Sequence, residues 1–127
     1  MAATSIIPHY PHRAPIDGYG KGGFRFAGMS HRGSLLCLGS GIWAWPVDEA
    51  DDITETALAP VFAEGEGCGF FVLGTGSAAW AMPDALRLRF HNATITVEVM
   101  RTGNAATTYN ILIGEGRKVC AGLIAVD

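Results

Sequence analysis

The sequence predicts a single α/β domain with a β-rich N-terminal part. Three observations predict it. Strand-like and helix-like segments alternate through the C-terminal half, the pattern of an α/β sheet. The N-terminal half holds short apolar segments cut by glycines, which reads as strands and turns. The chain has 127 residues, 49% of them hydrophobic and 17% charged, against a usual charged share of about 25%. That is enough apolar material for one core, and it excludes disorder as the main state.

Residues 1–15 carry Pro8, Pro11 and Pro15 with no period and are expected to form a poorly ordered tail, leaving 16–127 as the domain. Gly18, Gly20, Gly22 and Gly23 surround the first ordered segment. Phe24 and Phe26 alternate with Arg25, as in a half-buried strand. Ser30–Gly33 reads as a turn and Ser34–Leu38 as an apolar strand, so these two strands are expected to pair as a hairpin. Ile42–Val47 is a third extended segment that ends at Pro46, which has no N–H for a central ladder. Asp48–Asp52 is an acidic loop. Asp52 followed by Glu55 matches a capping box, and Ala57, Leu58, Val61 and Phe62 then recur at helical spacing. Pro60 is expected to kink or split that helix.

Phe70–Leu73 is a continuous apolar run, the mark of a parallel strand buried on both faces. Pro83-Asp84 opens a short helix through about Asn92, although Leu86, Leu88 and Phe90 alternate with Arg87 and Arg89 at strand period. Ile95–Met100 is a strand rich in β-branched residues. Asn104–Glu115 reads as a helix with Ala105, Ala106, Tyr109, Leu112 and Ile113 on one face. Ile111 falls on the other side, which is expected to be covered as well. Val119–Val126 is the last strand.

Several function classes are disfavoured. A net charge of −3 gives no electrostatic footprint for nucleic acid. The N-terminus lacks the basic-then-apolar pattern of a secretory signal, and no run of about 20 apolar residues would span a membrane. Cys37, Cys68 and Cys120 show neither CxxC nor zinc spacing, so a reducing, cytoplasmic setting is expected, with no metal or cofactor. Cys37 and Cys120 read as core residues, and Cys68, among glycines, as more accessible. His9, His12, His31 and His91 show no convergence on a metal. No nucleophile elbow and no Walker A motif occurs, and no catalytic residue is assigned.

Gly74-Thr75-Gly76-Ser77-Ala78-Ala79 is the sharpest small motif. It follows a buried strand and fits G-x-G-x-x-A, with Glu98 near the distance of a ribose-binding acid. Pro83 falls where the expected helix would be in full course, and the chain is short for a dinucleotide domain. The motif therefore reads as a tight turn, or as a small ligand-binding turn at a strand's carboxyl end. Thr108, Tyr109 and Asn110 either line a polar pocket near that turn or serve the core. Trp43 and Trp45 are either interface anchors or core against the helix that follows. Glu115 and Arg117 form a charge pair at a helix end, facing a partner or solvent.

A longer series of motifs resembles a known family. Ile16-Asp17-Gly18-Tyr19-Gly20-Lys21-Gly22-Gly23-Phe24-Arg25 opens it, Phe71-Val72-Leu73-Gly74-Thr75-Gly76 follows, and Val97-Glu98-Val99-Met100, Ala106, Thr108–Leu112, Glu115, Arg117 and Val119 complete it. Together they resemble a domain-of-unknown-function family that archaeal and bacterial proteins share with mitochondrial complex I assembly factor 3. The resemblance covers residues 16–126. It implies a three-layer domain with a central mixed sheet flanked by helices. It also implies a non-catalytic role in assembling NADH:ubiquinone oxidoreductase or in membrane-protein biogenesis, peripheral to the membrane through a partner. Many relatives carry a basic residue where this chain has Thr107, which argues against a charged ligand on that side. Two further readings stay open. One is a small-molecule site or enzyme built on the Gly74–Ser77 turn with Thr108 and Asn110. The other is a homo-oligomer joined through a low-charge face.

Overall fold

The computed structural model describes residues 9–127. Three short strands, β1 (Ile16–Gly20), β2 (Gly23–Phe26) and β3 (Met29–Arg32), form an antiparallel meander. Two-residue turns join them. Lys21 and Gly22 have φ of 54° and 80°, and Ala27 and Gly28 have 50° and 75°. Positive φ at both positions is the type I′ pattern that matches strand twist. Ser30–Arg32 is thus a strand and not the expected turn, and β2 pairs with β1 and β3.

The larger sheet has the order β5-β4-β8-β6-β7, from β4 (Ser34–Leu38), β5 (Gly41–Trp45), β6 (Phe70–Gly74), β7 (Thr96–Met100) and β8 (Val119–Leu123). The expected hairpin partner of Ser34–Leu38 is therefore corrected to β5. The sheet is mixed: β6 runs parallel to β7 and β8, and β4 runs antiparallel to β5 and β8.

Side chains alternate through this sheet and divide the core in two. Leu36, Leu38, Phe71, Leu73 and Cys120 face one side, against Leu58, Val61, Leu86 and Phe90. Leu35, Cys37, Val72, Ala121 and Leu123 face the other, against Phe24, Phe26, Ala105 and Tyr109. The first side is covered by α1 (Glu55–Ala63) and α2 (Asp84–Asn92), the second by α3 (Thr102–Gly114) and the small meander. This is a three-layer α/β domain.

The helices refine the sequence reading. Helix α1 is capped by Thr54, whose Oγ1 accepts the Ala57 N–H at 3.2 Å. Asp52 instead accepts from the Asp48 and Glu49 N–H groups around a 3₁₀ turn at Ala50–Asp52. Pro60 sits inside α1 without splitting it. Proline removes one helical hydrogen bond, while burial of Leu58 and Val61 and a bond from Trp45 Nε1 to the Ala57 carbonyl (2.9 Å) hold the helix in place. In α2 the helical period prevails: Leu86 and Phe90, four apart, are buried, and Leu88 is exposed.

Residues 9–15 fall in the stretch expected to be a poorly ordered tail, yet they pack on the domain. Tyr10 bridges Ile42, Arg13 Nη2 donates to the Gly67 carbonyl at 3.0 Å, and Ala14 is buried. Residues 1–8 lie outside the described residues.

Candidate functional site

Strands β6 and β7 send their next helices to opposite faces of the sheet. Such a switch point is where open α/β sheets usually bind ligands, beyond the strand carboxyl ends. Here the gap is filled from within. Thr102, the first residue of α3 and fully buried, accepts the Gly76 N–H on its hydroxyl at 2.9 Å and donates to the Ile124 carbonyl at 2.7 Å. Its own N–H donates to the Gly76 carbonyl at 2.9 Å. Thr75 N–H and hydroxyl both donate to the Met100 carbonyl, and the hydroxyl also reaches the Ala78 carbonyl at 3.0 Å.

Gly74 has a packing reason. A Cβ there would lie 2.9 Å from Thr102 Cα and 3.0 Å from Ala105 Cβ, so glycine lets α3 close onto β6. Gly76 takes φ +91°, the region glycine favours. No helix opens within the G-x-G-x-x-A motif, since α2 begins at Asp84. The Gly76 N–H that would meet a pyrophosphate is already used by Thr102, and Glu98 is exposed on β7. The dinucleotide reading therefore has no geometry behind it.

Outside this closure lies a cleft of about 460 Å³. Thr75, Gly76 and Ser77 line one side, and Asp48, Glu49 and Asp51 another. Thr108, Tyr109 and Asn110 do not line it. Thr108 Oγ1 is 3.5 Å from Met100 Sδ. Asn110 pins the small meander to α3: its Oδ1 accepts the Ile16 N–H at 2.7 Å and its Nδ2 donates to the Ile16 carbonyl at 2.8 Å. Tyr109 is fully buried, and burial pushes its hydroxyl pKa well up. That hydroxyl has no hydrogen-bond partner among the described residues, although the Cys37 thiol is a neighbour that also affects it.

The expected partner surface divides. Trp45 is 4% exposed and belongs to the core, whereas Trp43 is half-buried with Nε1 donating to Ser40 Oγ at 3.1 Å. Ile111 is 56% exposed, so its side of α3 is open to solvent and not covered as expected. Glu115 and Arg117 form an exposed ion pair at 3.7 Å. Cys68, expected to be accessible, is buried with Cys37 and Cys120. No group of three or more metal-ligating side chains occurs among the described residues. Sequence reasoning missed Thr102 and Arg13; a threonine opening a helix and an arginine beside prolines carry no signal until the fold brings distant carbonyls to them.

Comparison with known proteins places the chain. The family model described as "Protein of unknown function (DUF498/DUF598)" matches residues 16–124. The chain belongs to this family. It is similar to an uncharacterized protein of Rhodobacter capsulatus, 35% identical over 117 residues, covering 92% of this chain and 89% of that protein. It is also 30% identical over 115 residues to mouse NADH dehydrogenase [ubiquinone] 1 alpha subcomplex assembly factor 3, covering 91% of this chain. The match spans 62% of the mouse protein's length. Among solved structures, one described as an outer membrane protein from Bartonella henselae aligns with a TM-score of 0.90 and 41% identity, covering 94% of this chain and all of that one. The Rpa2829 protein of Rhodopseudomonas palustris aligns with a TM-score of 0.84 and 47% identity, covering 99% and 93%. No helix among the described residues is long and apolar enough to cross a membrane.

Proposed function

We propose that this family member works by holding a protein partner, as an assembly factor does, and not by turning over a substrate. The observation that carries the reading is the outward face of α3. Asn104, Thr107, Ile111 and Gly114 recur at helical spacing, all exposed and all uncharged, with Ile111 at the centre. The similarity to complex I assembly factor 3 supports a partner among the subunits of NADH:ubiquinone oxidoreductase; in this reading the partner is met on the cytoplasmic side of the membrane. Glu115 and Arg117, at the end of α3, extend the same docking surface in this reading, whereas Trp43 packs on the opposite side of the sheet and stands apart from it.

Ile111→Glu tests it, because the change is confined to the surface and should move stability by less than about 0.5 kcal/mol. Affinity capture from native membranes should recover NADH dehydrogenase subunits with the wild type and lose them with the variant. Equal recovery with both, or none with the wild type, overturns the reading. The ligand-binding alternative keeps one observation, the cleft beside Thr75–Ser77. It now rests on Gly74, Thr75, Gly76 and Ser77 without Thr108 and Asn110, and it predicts that Ile111→Glu changes nothing.

A further inference from the structure

The opposite end of the parallel strands holds chemistry that the proposed function does not use. Cys68 lies two residues before β6 and Cys120 is the second residue of β8, the strand beside it. Both side chains join the same buried cluster, on the face away from Cys37. Cys120 Sγ lies 3.9 Å from the carbonyl oxygen of Gly67, the residue bonded to Cys68, and Cys68 Sγ lies 3.8 Å from the Phe70 carbonyl oxygen. The two thiols are near enough to influence each other's titration, and each donates weakly to a backbone carbonyl, Cys68 to Phe70 and Cys120 to Gly67. That influence makes the Cys120 thiol more acidic than an ordinary cysteine, and together with burial it pushes Cys68 the other way.

Polar side chains gather beside the pair. Arg13 Nη2 donates to the same Gly67 carbonyl that Cys120 approaches. A Cβ on Gly39 would meet Arg13 Nη2 at 3.3 Å and Glu64 Oε2 at 3.2 Å, so the two head groups converge there. Ser40 Oγ donates to Glu64 Oε1 at 2.9 Å. Cys37 stands apart. It lies on the α3 side beside Tyr109, and burial raises its thiol to about 12.

We propose that Cys68 and Cys120 are a reversible dithiol–disulfide pair, oxidised by hydrogen peroxide, whose closure releases the Arg13 anchor. In the first step the Cys120 thiolate attacks one peroxide oxygen. The O–O bond breaks, hydroxide leaves, and Cys120 becomes a sulfenic acid. The Cys68 sulfur then attacks the Cys120 sulfur. The S–O bond breaks, and the Cys68 proton leaves with the hydroxide as water. Two thiols and one peroxide become one disulfide and two waters, with two electrons passed to the peroxide. Closing the bond draws the sulfurs to about 2 Å. The peptide between Gly67 and Cys68 shifts with them, and with it the carbonyl that Arg13 holds.

The test is a thiol count on the whole chain. Wild-type protein is treated with hydrogen peroxide, denatured, alkylated and weighed, and its linked peptides are mapped. One alkylated cysteine, Cys37, and a Cys68–Cys120 link are expected, reversed by dithiothreitol. Cys68→Ser and Cys120→Ser should each form no intramolecular disulfide. Trypsin should cut after Arg13 at least several-fold faster in the oxidised protein than in the reduced one. Three alkylated cysteines after peroxide, or a link through Cys37, overturns the pair. A Cys68–Cys120 link with unchanged cleavage after Arg13 overturns the coupling to the anchor. The wild-type count and peptide map stand even where a serine variant fails to fold.

Discussion

The two ends of the parallel strands differ in how their polar groups are spent. At the carboxyl end, Thr75 and Thr102 hand every hydroxyl to a nearby backbone group, and Gly74 and Gly76 bring helix and strand together. At the amino end, the Arg13 Nε and the Tyr109 hydroxyl are buried without partners among the described residues, and two thiols lie near each other. The end that open α/β sheets commonly use for ligands is closed by its own chain. The neighbouring thiols lie at the other end. A glycine-rich loop after a strand is therefore evidence of close approach, and what approaches it is decided by the residue that fills the gap. Here that residue is Thr102.

The largest minimum loss is expected at the amino end. Tyr109→Ala removes a fully buried aromatic from the α3 side of the core. A loss of about 3–5 kcal/mol is expected in denaturant unfolding, as for other large buried aromatics. A change near zero would mean that Tyr109 does not pack between α3 and the sheet.

Thr102→Val comes next and probes the carboxyl end. Valine keeps the shape but leaves the Gly76 N–H and the Ile124 carbonyl unpaired in a buried place. At about 1–3 kcal/mol for each of the two orphaned groups, a loss of roughly 2–6 kcal/mol is expected, and Thr102→Ser should recover most of it. Equal stability of the valine and serine variants would show that this end is not held by the hydroxyl, and the contrast between the ends would weaken.

How far the sequence reveals these ends depends on the range of the contacts. Strand β6 reads directly from Phe70–Leu73, because burial on both faces writes itself as an unbroken apolar run. The α3 core face reads from Ala105, Ala106 and Tyr109 at helical spacing. The pairing of β2 does not read, because its turns use Lys21 and Ala27 at positive φ, residues that give no turn signal. Asn110 reads as a polar residue that needs a reason, but its partner Ile16 lies 94 positions away. Cys68 and Cys120 look unrelated in the chain, and only the fold brings the Gly67–Cys68 peptide to Cys120, whose neighbour on β6 is Phe71.

The smallest expected effect sharpens the contrast most. Tyr109→Phe deletes only the hydroxyl that lacks a partner. A buried hydroxyl loses its hydration on folding, and when nothing in the protein replaces those bonds it adds no net stability. The phenylalanine variant should therefore match the wild type to within about 1 kcal/mol, or exceed it, in the same unfolding assay that registers the large loss for alanine. The opposite sign would be informative. A loss well above 1 kcal/mol would mean that the hydroxyl is satisfied, through Cys37 or an ordered water, so that the amino end is as fully bonded as the carboxyl end. The polar asymmetry between the two ends of the sheet would then disappear, leaving the thiol pair alone to distinguish them.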